Sequence, residues 1–129
     1  MFLSEVCDQL LNNADMSLSV NGAKSEIQLE FHPAAFNGII TFFCGDFSRL
    51  NFRKDSDDTD CIFVGNTSVI IKEENSSIAK LYKEDRWQSF NANFLKPVAH
   101  IEIEGGTMLS IVCEKFSWKK GNEETRVVL

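Results

Sequence analysis

Paired turn residues are the feature that most constrains how this 129-residue chain can fold. Six of its seven glycines stand in dipeptides of the kind that close two-residue β-hairpin loops. Since each such loop joins two antiparallel strands, the spacing predicts five hairpins and nine strands in chain order. The dipeptides are Asn21-Gly22, Gly45-Asp46, Gly65-Asn66, Gly105-Gly106 and Gly121-Asn122.

The first hairpin can be checked through the side chains that its register brings together. A two-residue loop places Val20 opposite Ala23 and Met16 opposite Ile27, so these side chains share one face. The other face collects Ser, Lys, Glu, Gln and His side chains and is predicted to face water. The pattern is typical of a strand pair with one buried side.

The last hairpin has a register that pairs opposite charges. Across its loop Lys120 falls opposite Glu123, and Lys119 falls opposite Glu124. Oppositely charged residues at directly opposed positions stabilise an antiparallel pair. We therefore expect the chain to turn back on itself at this point.

The predicted strands between these hairpins are apolar on both faces for part of their length, which is typical of central or covered strands. A cover is predicted at the N-terminus, where Phe2, Val6 and Leu10 repeat every four residues and form one apolar helical stripe. The apolar strand segments are 39–44, 46–52, 61–64 and 67–73.

These patterns predict a mainly β (α+β) chain with a single domain over residues 1–129. An amphipathic helix over 1–14 packs on an antiparallel β-meander over 15–129, curled into a barrel-like or two-layer sheet. Residues 74–97 fit neither period well, and we expect an irregular crossover there that is anchored by aromatic side chains.

Composition limits where the protein works. The longest apolar runs are far shorter than the roughly 20 residues that a membrane-spanning helix needs, and the first residues carry acids where a signal peptide carries Lys or Arg. A cytoplasmic protein is expected. The four cysteines form no CxxC pair, so we expect buried free thiols, with a disulfide as the alternative if the protein is exported.

Metal chemistry has two candidates in the sequence. His32 follows Glu26 and Glu30 at alternate positions, and His100 precedes Glu102 and Glu104 in the same way. Each run offers one imidazole, so a metal site would need the two runs to be neighbours in the sheet. The acidic stretch at 55–60 has the carboxylates of a calcium loop but lacks the Gly and Glu that complete an EF-hand, so no metal or other cofactor is predicted.

Catalytic motifs are equally lacking in the sequence. There is no GxSxG nucleophile elbow, and no local signature ties a Cys or Ser to a base. Every glycine already belongs to a turn or stands alone, so no glycine-rich phosphate loop is formed. We therefore expect a protein that is not an enzyme.

The most unusual feature for function is the acidic stretch DSDDTD. Residues 1–60 hold 10 acidic and 4 basic residues, whereas residues 61–129 hold 9 of each, so the formal net charge of −6 belongs to the first part. Such a field repels nucleic acid and anionic membranes and attracts basic proteins. The residues predicted to contact a partner are Asp55, Asp57, Asp58, Asp60, Glu26 and Glu30.

The function that follows is a small acidic protein-binding module. Its carboxylates would replace nucleic-acid phosphates against Lys and Arg of a basic partner, such as a nuclease toxin, as immunity and antitoxin proteins do, with Phe47 or Trp118 as an aromatic anchor. Two alternatives remain open. Eleven Phe residues could line a barrel-like carrier of a small apolar ligand, or strand edges could join an oligomeric structural subunit.

Overall fold

A computed structural model describes residues 2–54, 64–72, 97–105 and 107–129 of the chain. Within these residues the protein is mainly antiparallel β-sheet with one short N-terminal helix packed on it, which confirms the predicted fold class. Seven strands are found there: β1 Asp15–Asn21, β2 Glu26–His32, β3 Ile40–Lys54, β4 Asn66–Lys72, β5 Val98–Glu104, β6 Thr107–Lys120 and β7 Arg126–Val127.

The strands form one sheet in the order β1-β2-β3-β6-β5-β4. The predicted antiparallel meander is present as two three-stranded halves, β1-β2-β3 and β4-β5-β6, which join where β3 pairs with β6. This central pairing runs from Ile40 opposite Lys120 to Lys54 opposite Thr107. The short strand β7 pairs with β6 at Ser117. It lies on the same side of β6 as β5, which pairs with an earlier part of that strand.

The N-terminal helix is shorter than the sequence pattern predicts and changes type within its length. An α-helical turn, α1 Leu3–Glu5, continues as a π-helical segment over Val6–Leu10, in which Leu11 N donates to Val6 O at 3.1 Å. The wider helix keeps Val6, Cys7 and Leu11 buried against the sheet. The predicted cover is therefore confirmed with its limits moved inward, but Phe2 of the predicted stripe is 76% exposed and takes no part in it.

The first hairpin has the predicted faces but a different register. A 3₁₀ turn over Gly22–Lys24, followed by Ser25 at a φ of 52°, replaces the two-residue loop. Val20 consequently lies opposite Ile27 instead of Ala23. Because the longer turn shifts the partner by four residues, an even number, the apolar side chains still meet on one face.

The second predicted hairpin, at Gly45-Asp46, is wrong. These residues lie inside β3, where Asp46 has a φ of 51° and the pairing with β6 shifts by one residue between Phe47 and Arg49. The dipeptide therefore lies within the strand, shortly before a β-bulge. The positive φ of Asp46 is accommodated without a turn, and the pairing with β6 continues on both sides of it.

The remaining turn predictions have mixed outcomes. Gly105 lies between the paired strands β5 and β6, as predicted, but Asn66 already belongs to β4, so a turn there is wrong. The last hairpin forms, with Gly121 at a φ of 58°, yet Trp118 lies opposite Arg126, one residue out of the predicted register. The predicted crossover at 74–97 lies outside the described residues except for Pro97, and so does the predicted strand segment 61–64 except for Val64.

Most of the buried apolar residues form one cluster on one side of the sheet, and the N-terminal helix contributes to it through Val6 and Cys7. Phe42 is its centre, with ring centroids 4.9 Å from Phe31 and 5.2 Å from Phe116 in edge-to-face contacts. Near the helix, Val64 N donates to Ala14 O at 2.9 Å, which ties the approach to β4 to the start of β1.

The described strands do not close into a barrel, because β1 and β4 remain the two edges of the sheet. The described part of the chain also contains no helix of the length and apolarity that crossing a membrane requires.

Candidate functional site

The predicted partner-binding residues fall into two groups. Asp55, Asp57, Asp58 and Asp60 lie outside the residues that the structure describes. Glu26 and Glu30 are described, and both point outward from β2, on the side of the sheet opposite the core, because Ile27 and Leu29 between them point inward and are buried. The strand alternation in the sequence predicted this orientation.

Three cross-strand rows define the surface around these two glutamates, which we call the β2–β3–β6 face. Each row has an outward residue from β2, one from β3 and one from β6. The rows are Glu26–Gly45–Lys115, Gln28–Phe43–Ser117 and Glu30–Thr41–Lys119. The face thus carries carboxylates along β2 and ammonium groups along β6, two strand spacings or about 10 Å apart.

Two grooves cover this face and share Gln28 and Phe43 in their lining. The larger has a volume of about 940 Å³ and extends over Thr41 and Lys119 to Phe36, in the segment between β2 and β3. The smaller, of about 380 Å³, lies over Gly45 and reaches Leu129. Because Gly45 has no side chain, the surface between Glu26 and Lys115 forms a depression.

Local contacts hold the charged side chains of the face in place. On β2, Gln28 Nε2 donates to Glu30 Oε1 at 3.0 Å. On the opposite wall, Lys119 Nζ lies 5.9 Å from the centre of the Phe43 ring, and Lys120 Nζ lies 4.7 Å from that of Phe36. Cation–π contacts of this kind stabilise by about 0.5–1 kcal/mol at exposed sites.

Lys119 and Lys120 therefore lie over rings of the groove and do not form the glutamate pairs that the predicted hairpin register required. Lys115 Nζ approaches Asp46 Oδ2 at 3.2 Å, but both side chains are largely exposed, and such pairs contribute little to stability. The ammonium groups of this wall remain accessible to a ligand or a partner.

The structure separates the two parts of the predicted acidic surface where they join the sheet. The stretch 55–60 follows directly after Lys54, at the end of β3. Gly45, which pairs with Glu26, lies nine residues back along the same strand, a distance of about 30 Å for extended backbone. Glu26 and Glu30 are the described part of the predicted acidic surface, and they lie on the β2–β3–β6 face.

The predicted aromatic anchors are not on this surface. Trp118 is 3% exposed and belongs to the core, and Phe47 packs against the same cluster from β3. The aromatic residue of the face is Phe43, which the sequence analysis missed. The sequence contained a signal for its position. Adjacent residues in a strand point to opposite faces, so Phe43 points outward because Phe42 points into the core.

A second polar cluster lies further along the outer side of the sheet, on β5 and β6. His100 Nε2 lies 3.0 Å from Ser110 Oγ and 3.4 Å from Glu102 Oε1. Both partners approach the same ring nitrogen. A hydrolytic triad needs the nucleophile on one imidazole nitrogen and the carboxylate on the other, so the geometry of these three side chains does not match that arrangement.

The two histidine runs that were candidates for a metal site lie far apart. His32 is on β2 and His100 on β5, and β3 and β6 lie between those strands. Within the residues described here, no group of three His, Cys, Asp or Glu side chains is arranged so that it could hold a metal ion.

No protein-family model matches the sequence, and no curated protein matches it.

Proposed function

We propose that this protein is a small protein-binding module that neutralises a basic partner, such as a nuclease toxin, in the manner of immunity and antitoxin proteins. The observation that carries the proposal is the β2–β3–β6 face, where Glu26 and Glu30 flank the half-buried ring of Phe43 beside an open groove. Aromatic residues are enriched at protein interfaces, where a few anchor residues carry most of the binding energy.

Charge supports the same proposal at longer range. The chain has a formal net charge of −6, and four of its acids stand within residues 55–60. A field of this sign raises the association rate of a basic protein and disfavours nucleic acid and anionic membranes. The carboxylates of β2 then contact Lys or Arg side chains of the partner after the encounter.

The opposite wall of the groove adds a condition on the partner. Lys115, Lys119 and Lys120 would repel a uniformly basic surface, so the partner has to present an acidic or hydrogen-bond-accepting group about 10 Å from its basic ones. Because the face carries negative groups on one wall and positive groups on the other, it favours one docking orientation over others.

The alternative of an apolar carrier has less support. The core side of the sheet is occupied by the packed rings of Phe31, Phe42 and Phe116, and both grooves on the β2–β3–β6 face have charged groups in their lining. An apolar ligand gains little from such a surface.

The test is identification of the partner and measurement of its activity. The protein is immobilised and used to capture binding proteins from cells that produce it, with the variant Glu26→Gln/Glu30→Gln as the comparison and Asp8→Asn/Glu104→Gln as the control for charge alone. We expect the wild type and the control to retain a basic protein that the variant does not retain. The activity of this captured protein should fall when the wild type is added. Equal capture by all three would contradict the assigned face.

A further inference from the structure

The strand β1 is an edge of the sheet along its whole length. It pairs with β2 through seven consecutive residue pairs from Asp15 opposite His32 to Asn21 opposite Glu26, without a bulge. In the part of the chain that the structure describes, residues 16–21 make backbone hydrogen bonds to no strand other than β2. One side of β1 therefore presents backbone donors and acceptors to the surface.

This edge lacks the features that usually prevent pairing between sheets. Proteins protect edges with lysine, proline, bulges or very short strands. β1 has seven residues, with the sequence DMSLSVN, and its one charged residue is Asp15 at the start. Val20 is 48% exposed and Leu18 is half-buried, both on the side that faces the core.

We propose that β1 pairs with β1 of a second copy of this chain, antiparallel about a twofold axis at Leu18. In that register Met16 lies opposite Val20 of the second copy, and Ser17 lies opposite Ser19. Apolar side chains then meet on one face and hydroxyls on the other. The same register brings Leu18 of the two copies together and covers both Val20 side chains.

Charge also fits a second copy as the occupant. Asp15 falls opposite Asn21, so the pairing places no like charges opposite each other along the strand. Lys24, in the exposed turn that follows Asn21, comes to the end of the interface where Asp15 of the second copy lies. The interface is isologous, which is the arrangement of most homodimers.

The proposal uses the edge of β1 and not the β2–β3–β6 face, beside which Ser17 and Ser19 lie opposite Glu30 and Gln28. The dimer would present two copies of that face in one continuous sheet. Its interface is confined to one strand per copy, so we expect reversible association that depends on concentration.

The test uses two exposed positions, Ser17 and Ser19, that lie opposite each other across the proposed axis. Within one chain they lie opposite Glu30 and Gln28, and both variants below carry the same Ser17→Lys change beside Glu30. In Ser17→Lys/Ser19→Lys each lysine lies opposite a lysine of the second copy, whereas in Ser17→Lys/Ser19→Glu each lysine lies opposite a glutamate. Sedimentation equilibrium over a range reaching millimolar protein gives the dissociation constant of each, and circular dichroism with thermal melts shows that all are folded.

We expect a monomer–dimer equilibrium for the wild type, a dissociation constant raised about tenfold or more for the lysine pair, and wild-type or tighter association for the lysine–glutamate pair. The first variant lowers the net negative charge, so weaker association cannot come from general repulsion. A wild-type chain that stays monomeric throughout, or two variants that associate equally, would overturn the proposal.

Discussion

His100 on β5 and Ser110 on β6 are joined by a hydrogen bond of 3.0 Å on the side of the sheet opposite the main core. The histidine is only 7% exposed, although Ala99 and Ile101 on either side of it point into the core. The outer side of β5 is therefore buried at this point as well. This pair links β5 and β6, two strands of the three-stranded half β4-β5-β6, through their side chains.

We expect Ser110→Ala to lower the free energy of unfolding by about 1 kcal/mol, because it removes one partner of a largely buried hydrogen bond. Ser19→Ala, at an exposed position of β1, is the matched control and should change stability by less than about 0.5 kcal/mol. Urea denaturation of both variants measures the difference. Equal effects would mean that the bond does not contribute to folding.

The centre of the core gives a larger effect. Phe42 is fully buried and contacts two other rings, so Phe42→Ala should cost about 3–5 kcal/mol of unfolding free energy through lost burial and a cavity. The control is Phe52→Ala on the same strand, where the side chain is 37% exposed and the loss should be clearly smaller. Comparable losses in chemical denaturation would contradict the position of the core.

The left-handed backbone of Asp46 in β3 predicts that stability depends on the residue type at this position. Its φ of 51° suits Asn, whereas a β-branched residue is strained there. Asp46→Asn should be close to neutral, since the ion pair with Lys115 is exposed. Asp46→Val should lose roughly 1–3 kcal/mol in thermal or urea unfolding. If the two variants were equally stable, the left-handed conformation would be wrong.

The buried thiols predict how stability changes at high pH. Burial, with a smaller contribution from Asp8, raises the pKa of Cys7 from 9.0 to about 11. The folded protein thus retains a proton that the unfolded chain releases first, so the stabilising contribution is complete below pH 9 and is lost as the pH rises from 9 towards 11. A hydrogen bond with Cys113, together with burial, raises the pKa of Cys44 in the same direction.

Cys7→Ala removes this contribution from Cys7. The free energy of unfolding should fall less steeply for the variant than for the wild type between pH 9 and pH 11. The lost side-chain volume adds a constant difference between the two proteins, which is already present at pH 7. Urea denaturation at each pH measures both curves. Curves that stay parallel over this range would show that Cys7 does not titrate as proposed.

The sequence predicted which face each side chain takes better than it predicted which residues are partners. Period-two alternation specifies the buried side of β2, so Ile27 is inside and Glu30 outside whatever the register. The register depends on loop length, and the 3₁₀ turn before Ser25 moved it by four residues. The pairing of β3 with β6 joins residues far apart in the chain, and no local pattern encodes it.

The same limit applies to the candidate site. Glu26 and Glu30 could be placed on an outward face from alternation alone, whereas the groove beside them depends on Phe36 and Gly121, which come from two different loops. Gly45-Asp46 was misassigned because residues that suit the positive φ of a turn can also adopt it inside a strand, as Asp46 does here. Trp118 was misassigned because a large aromatic residue serves a core as readily as an interface.

The most direct test of the assigned function is the salt dependence of association between this protein and the basic partner it captures, measured by surface plasmon resonance. Glu26→Gln/Glu30→Gln should lower the association rate, flatten its dependence on salt, and weaken binding by about 2–5 kcal/mol if either carboxylate is buried in a hydrogen-bonded pair. The change of Asp55, Asp57, Asp58 and Asp60 to Asn tests the acidic stretch separately.

The control Asp8→Asn/Glu104→Gln removes the same charge as the glutamate variant from exposed positions elsewhere and should retain most of the wild-type rate. We predict a loss for the Glu26/Glu30 variant that clearly exceeds that of the control, with thermal melts showing both variants folded. Equal association rates and equal salt slopes for wild type, variant and control would contradict a carboxylate-based interface on the β2–β3–β6 face.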